Sequence, residues 1–109
     1  PRPVAADDLL PERALAGDPT ARAALTERVA VPLQSAGAEV LETVRVVLGN
    51  GGNLEASARA LFVHTNTVRY RLKRATELTG YSPTDPRGSW TLQLTLALTE
   101  LEVDRSLWH

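Results

Sequence analysis

The chain has 109 residues, of which 43% are hydrophobic and 23% charged, the composition of an ordinary globular domain with a modest core. It contains no cysteine, which excludes disulfides and thiolate metal sites, and its net charge of −1 gives no overall attraction to a polyanion. No apolar run approaches the roughly 18 residues that span a bilayer, and the N-terminus lacks a signal-peptide core, so we expect a cytoplasmic protein.

The N-terminal third predicts an arm followed by a helical hairpin. Residues 1–6 contain two prolines and no hydrophobic period, which indicates an arm. We expect the hairpin over residues 7–36, with Gly17 ending its first helix and Asp18 capping the second. The second helix carries an apolar stripe that Pro32 interrupts, so we expect a kink or an early stop there.

A domain at 38–103 is predicted to begin with a scaffold helix that has one broad apolar face. The residues of this face are Val40, Leu41, Val44, Val47 and Leu48. The helix ends at the run GNGGN, which could suggest a phosphate-cradling loop. Such a loop also needs a preceding strand and a Lys-Ser or Lys-Thr pair, so a helix C-cap and turn explain the run better.

Residues 53–80 predict two helices joined by a tight turn. The first helix, at 54–61, has Asn53 as its N-cap and small residues that permit close helix approach. Phe62 and Val63 are too apolar for a free loop, so we expect both to fill the joint between the helices.

The second of these helices is predicted at about 65–79, with Thr65 as its N-cap and Gly80 as its stop. Its apolar residues recur at helical spacing and predict a face turned to the core. These residues are Val68, Leu72, Ala75 and Leu78. The opposite face is basic and rich in hydrogen-bonding groups.

Positive charge is concentrated in this part of the chain. Residues 56–76 hold five cations and no carboxylate, whereas the segments on either side each have a net charge of −3. A focused basic surface on an acidic domain orients a protein on DNA without binding every polyanion. Arg59 is the exception, because Glu55 lies four residues before it and predicts an ion pair on the same helix.

The last predicted helix opens at Asp85-Pro86 and has more apolar surface than one core contact uses. One stripe comprises Trp90, Leu94, Ala97 or Leu98, and Leu101, and the other comprises Leu92, Leu96 and Val103. The surplus stripe predicts either a dimer interface or a contact with an upstream region. We expect residues 104–109 to form a tail.

From about residue 41 to residue 101 the sequence resembles a known family. The runs NGGNLEASARALFVHTNTVRYRLKRATELTG and TDPRGSWTLQLTLAL are similar to the C-terminal helix-turn-helix domain of PucR-type bacterial transcription regulators. The segment HTNTVRYRLKR also resembles the recognition helix of the Fis-like group. The resemblance implies an all-α multi-helix bundle that binds double-stranded DNA and forms a homodimer in the full-length protein. Any effector would bind an upstream region.

The resemblance also implies roles for nine side chains on the predicted recognition helix and its turn. Those expected to approach base edges are His64, Thr65, Asn66, Arg69 and Tyr70. Those expected to contact phosphates are Thr67, Arg71, Lys73 and Arg74.

Other interpretations of these residues stay open. His64 could only cap or pack at the turn, Tyr70 could cover a neighbouring side chain, and the basic cluster could be a solvated face. The alternative function is a helical protein-interaction and dimerisation module whose basic face binds an acidic protein.

The sequence gives no support for catalysis, a cofactor or a metal. Ser57 and Ser89 lack a partner histidine pattern or a nucleophile elbow, and no carboxylate pair marks an evident pocket. Two histidines and no cysteine leave too few ligands for a metal ion. We therefore expect a DNA-binding protein that is not an enzyme.

Overall fold

The structure, a computed structural model, describes residues 9–107, with side chains described from residue 9 to residue 101. Its elements are α1 (Leu10–Leu15), α2 (Pro19–Leu25), a π-helical segment (Thr26–Ala30), α3 (Val31–Ser35), α4 (Ala38–Gly49), α5 (Leu54–Leu61), α6 (Thr65–Thr79) and α7 (Pro86–Leu107). Every element in this range is helical, which confirms the predicted all-α class. The predicted arm at 1–6 lies outside the described residues.

The N-terminal hairpin forms because local signals stop α1 and start α2 with only three residues between the two helices. Gly17 follows α1 with a positive φ of 100°, a conformation that glycine adopts without strain. The Asp18 carboxylate then accepts a hydrogen bond from the backbone N–H of Thr20 at 2.9 Å. The predicted end of the first helix and the predicted cap of the second are confirmed.

Pro32 does not stop the helix that contains it. The backbone stays right-handed helical through Ala30 and Val31 and continues to Ser35. The irregularity is instead the π-helical segment just before the proline. The change of register places Pro32 in the first turn of α3, where its missing N–H is tolerated. Of the two outcomes predicted at Pro32, a kink or an early stop, the early stop is therefore wrong.

The core is built from aliphatic side chains of the hairpin and of every longer helix. The largest fully buried ones are Leu25, Val29, Leu33, Val44, Val47, Val68 and Leu92. Thr91 and Thr95 are also buried on α7, and their hydroxyls donate to the carbonyls four residues earlier. Packing of this kind joins the hairpin and the second half of the chain around one hydrophobic cluster.

α7 uses one of its two predicted apolar stripes for the core. Leu92 and Leu96 are buried, whereas Trp90 and Leu101 remain exposed. The helix runs to Leu107, so the segment predicted as a tail from residue 104 begins inside it. Within residues 9–107 no helix is both long and apolar enough to cross a membrane.

Two ion pairs hold α1 in place and predict acid sensitivity. Arg13 contacts the Asp18 carboxylate at 2.7 Å, and Arg87 on α7 contacts the Glu12 carboxylate at 2.7 Å. The side-chain hydrogen bond from Arg13 lowers the pKa of Asp18 below its ordinary 3.8, and that from Arg87 lowers the pKa of Glu12 below its ordinary 4.5.

Because both folded pKa values are depressed, the stabilisation is present above the unfolded values and is lost as the pH falls through the folded ones. We expect the melting temperature to fall as the pH is lowered below about 4.5. A chain carrying Glu12→Gln and Asp18→Asn should lose less stability over the same pH range. Thermal unfolding followed by circular dichroism at several pH values checks this, and equal losses in the two proteins would contradict it.

Candidate nucleic-acid interface

α5 starts at a side-chain cap and lies close to its neighbours. The Asn53 side-chain oxygen accepts from the backbone N–H of Ala56 at 2.9 Å, which confirms the predicted N-cap. Ser57 and Ala58 are buried, and the Ser57 hydroxyl donates to the Asn53 carbonyl at 2.7 Å. Small buried side chains let α5 approach both α4 and α6.

The turn between α5 and α6 is a Schellman motif with an aromatic residue at its left-handed position. The N–H of Val63 donates to the Ala58 carbonyl at 3.0 Å, and that of Phe62 donates to the Arg59 carbonyl at 3.2 Å. Phe62 has φ 57° and ψ 42°, a conformation that costs a residue other than glycine about 1–2 kcal/mol.

The two apolar residues of this turn have different environments. Val63 packs against the core, as expected, but Phe62 is 95% exposed. The prediction that Phe62 fills the joint is therefore wrong. Its left-handed backbone sends its side chain outward while the next residue turns inward.

His64 caps α6, one residue before the predicted Thr65. Its Nδ1 accepts from the backbone N–H of Asn66 at 3.0 Å. The physical reason is the backbone, because His64 is extended whereas Thr65 is already the first residue of the helix. His64 thus has a capping role, and its exposed ring keeps Nε2 directed away from the cap.

The inner face of α6 is buried against three helices. Val68, Leu72 and Ala75 are buried, and α6 contacts α3, α4 and α5. Gly80 ends the helix with a positive φ of 81°, as predicted. Because its back is fixed in the core, α6 presents its opposite face on a rigid support.

The outer face of α6 carries most of the predicted site residues. Those exposed to solvent are His64, Asn66, Arg69, Tyr70, Lys73 and Arg74, and those partly exposed are Thr65, Thr67 and Arg71. The Arg69 guanidinium lies 3.4 Å from the side-chain oxygen of Asn66. Further along the helix, Tyr70, Lys73 and Arg74 line a shallow cavity of about 150 Å³ together with Glu77.

Three cations of this face have no acidic partner in the part of the chain that the structure describes. Among the described residues no ion pair involves Arg69, Lys73 or Arg74, although Glu77 follows within one turn of the last two. Their positive charge is therefore uncompensated within this part of the protein. Such charge is suited to neutralise phosphates.

Arg71, unlike these three cations, forms an ion pair and a hydrogen bond within the domain. Its side chain is only 18% exposed, and its guanidinium lies 3.3 Å from the Glu39 carboxylate and 3.3 Å from the Thr43 hydroxyl. Both partners are on α4, so Arg71 ties α6 to α4. This contact could not be predicted from sequence, because the partners of Arg71 lie 28 and 32 residues away along the chain.

This contact predicts different effects for two cations on one helix. Arg71→Ala removes the hydrogen bonds to α4 and should destabilise the fold by about 1 kcal/mol, which lowers the melting temperature by about 4 °C in a domain of this size. Lys73→Ala, at an exposed position without an ion pair, should leave the melting temperature unchanged. Differential scanning calorimetry of both variants checks the difference, and equal melting temperatures would refute the tie.

The predicted pair between Arg59 and Glu55 is absent from the described part of the chain. Both side chains are exposed, and a solvated i,i+4 pair stabilises a helix by only about 0.3–0.5 kcal/mol. The entropy lost in ordering two long side chains opposes the formation of such a pair. Arg59 therefore adds a further uncompensated cation next to the turn.

α5 and α6 are joined at a Schellman turn, and α6 has a buried inner face and a basic outer face. This arrangement defines a helix-turn-helix domain. Within that class the family is shown by a direct match. The chain belongs to the PucR C-terminal helix-turn-helix domain family, whose pattern matches residues 40–98.

Several proteins are similar to this chain in sequence, and two of them are named as regulators. Uncharacterized protein Rv2242 of Mycobacterium tuberculosis is 52% identical over 101 residues, which cover 93% of this chain and 24% of that protein. Two Bacillus subtilis proteins match over shorter stretches. The proline-responsive transcriptional activator PutR is 38% identical over a stretch that covers 55% of this chain and 15% of PutR. The purine catabolism regulatory protein is 39% identical over a stretch that covers 57% of this chain and 12% of that protein.

A crystal structure has the same fold. The regulator of polyketide synthase expression from Bifidobacterium adolescentis superposes with a TM-score of 0.86 and 46% identity, over 94% of this chain and 43% of that one. The chain thus spans about a quarter of the length of its mycobacterial relative and less than half of the crystallised chain. The family is one of transcription regulators.

Proposed function

We propose that this chain is the sequence-specific DNA-binding domain of a bacterial, cytoplasmic transcription regulator and that α6 enters the major groove. The observation that carries the proposal is the outer face of α6, where three cations that have no acidic partner among the described residues stand beside exposed amide and phenol groups. The major groove admits an α-helix. The apolar face of α6 packs against α3, α4 and α5, which leaves its basic face outward.

The positions along α6 suggest which side chains read bases. His64, Thr65 and Asn66 stand at the N-terminal end, the part of a recognition helix that faces base edges, and Arg69 and Tyr70 lie one turn further. An arginine can form two hydrogen bonds with guanine, and an asparagine can form two with adenine.

The remaining polar residues of α6 are proposed to bind phosphates. Lys73 and Arg74 have exposed charges, and Thr67 is partly exposed at the flank. Arg71 is proposed to reach a phosphate with the part of its guanidinium that α4 leaves open. These contacts position the helix but carry no sequence information.

We further propose that the full-length protein is a homodimer and binds related half-sites about one helical turn apart, or a multiple of it. The partly exposed stripe on α7, with Trp90 and Leu101 at its ends, supports an additional apolar contact in that assembly. An effector, if one exists, binds outside this domain.

The test is fluorescence anisotropy of the 109-residue chain with a randomised duplex pool at several salt concentrations, followed by sequencing of the bound fraction. We expect one enriched motif and an affinity that falls with salt. Three or four phosphate contacts in one domain give a slope of roughly −3 in log K against log salt. Binding without enrichment, or binding only to acidic proteins, would favour the alternative of a protein-interaction module.

If the chain alone binds too weakly to select a motif, the same selection is done with two copies joined through a short coiled coil. One helix-turn-helix makes few contacts, so a second copy should raise the affinity. Failure of the joined protein to bind DNA at low salt would overturn the proposal.

A further inference from the structure

We propose that Phe62 contacts DNA and packs its ring against the 5-methyl group of a thymine at the end of the sequence read by α6. This inference rests on the proposed function and adds to it a residue that no sequence signal marked as part of the interface.

Phe62 occupies a position that favours a different residue. It is the C′ residue of the Schellman turn, where glycine is the usual choice, and among the described residues it is the one non-glycine with a positive φ. The ring gains no compensating burial, since it is 95% exposed, and it is the chain's single phenylalanine. Backbone strain that packing does not repay points to a role outside the isolated fold.

The place of the ring in the domain indicates the partner. Phe62 lies three residues before Thr65, so their Cα atoms are no more than about 11 Å apart. Arg59 and His64, both exposed, flank it in sequence. If α6 lies in the major groove as proposed, a ring at this position stands beside the end of the helix and within three residues of groups suited to phosphates and bases.

The chemical groups of the major groove indicate which base Phe62 contacts. Among the groups that B-DNA presents in its major groove, the 5-methyl group of thymine is the apolar one, and phenylalanine is among the residues that contact it. An exposed aromatic ring beside α6 therefore matches thymine better than any other base. Such a contact adds sequence preference at one position.

The experiment uses the duplex selected with the 109-residue chain and replaces its thymines, one at a time, by deoxyuridine, which lacks only the methyl group. With the unchanged protein we expect one replacement near the end of the motif to weaken binding about fourfold, the effect of losing one buried methyl group. The Phe62→Gly protein should bind the thymine duplex about fourfold more weakly and should not distinguish thymine from deoxyuridine at that position.

Two controls keep the result interpretable. Phe62→Gly should melt at the same or a higher temperature, because glycine adopts the left-handed conformation without strain, so its weaker binding would not reflect unfolding. Leu15→Ala removes another exposed apolar side chain, 62% exposed on α1 and outside the α5–α6 unit, and should leave the affinity unchanged.

The outcomes separate this inference from the proposed function. If the unchanged chain and its joined dimer bind no DNA, the proposed function fails and the role of Phe62 fails with it. If a motif is bound but Phe62→Gly keeps both the affinity and the response to deoxyuridine, Phe62 is not the thymine contact while the proposed function stands.

Discussion

Gly88→Ala is expected to destabilise the domain by about 3 kcal/mol, in the upper part of the range for overpacking. A Cβ atom at this position would lie 2.3 Å from the carbonyl oxygen of Ser82 and 2.8 Å from its nitrogen. Both are backbone atoms, so no side chain can rotate away to relieve the overlap. The N–H of Gly88 also donates to the Asp85 carboxylate at 2.8 Å, which holds the first turn of α7 against this loop.

The measurement is thermal unfolding of Gly88→Ala beside Gly49→Ala. Gly49, the last residue of α4, has no atom within 4 Å of a Cβ built on it and no positive φ. There alanine should stabilise the helix by a few tenths of a kcal/mol to about 1 kcal/mol. We expect the melting temperature of Gly88→Ala to fall by about 12 °C and that of Gly49→Ala to stay or rise. Similar changes in both would show that α7 can move away from Ser82.

The helices could be predicted from sequence because local signals set their ends. Asp18 and Asn53 cap the helices that follow them, and Gly80 ends α6, each through atoms a few residues apart. The error at the start of α6 is small for the same reason. His64 and Thr65 both have an acceptor for the free N–H groups, and sequence alone does not tell which backbone is extended.

The features that sequence could not predict depend on contacts across the fold or on backbone conformation. Arg71 lies on the same helix as the other cations, but its ion pair with Glu39 on α4 leaves its side chain only 18% exposed. Phe62 is as apolar as a core residue, yet its left-handed backbone turns it to solvent. Gly88 serves a close approach to Ser82 that only the packed structure reveals.

Arg69→Ala is expected to weaken binding to the selected duplex by about 5- to 150-fold, the range for losing one good base contact. Among the described residues Arg69 has no acidic partner, and its guanidinium contacts the side-chain oxygen of Asn66 at 3.4 Å, which is long for a hydrogen bond. The side chain can therefore turn to guanine at little cost to the protein. Affinity for a random duplex, which depends on phosphates, should fall much less.

Lys73→Ala is the matched control, because it removes a charge of the same sign from the same helix at an exposed position. It should weaken both duplexes by a similar factor and reduce the salt slope by about 1. Titrations of each protein against both duplexes at three salt concentrations separate the two roles. If Arg69→Ala weakens both duplexes equally, Arg69 contacts a phosphate, and base recognition on α6 then rests on the residues of its N-terminal end. The order of those residues, His64 and Asn66 before Arg69, would place the sequence-reading part of the helix within its first turn.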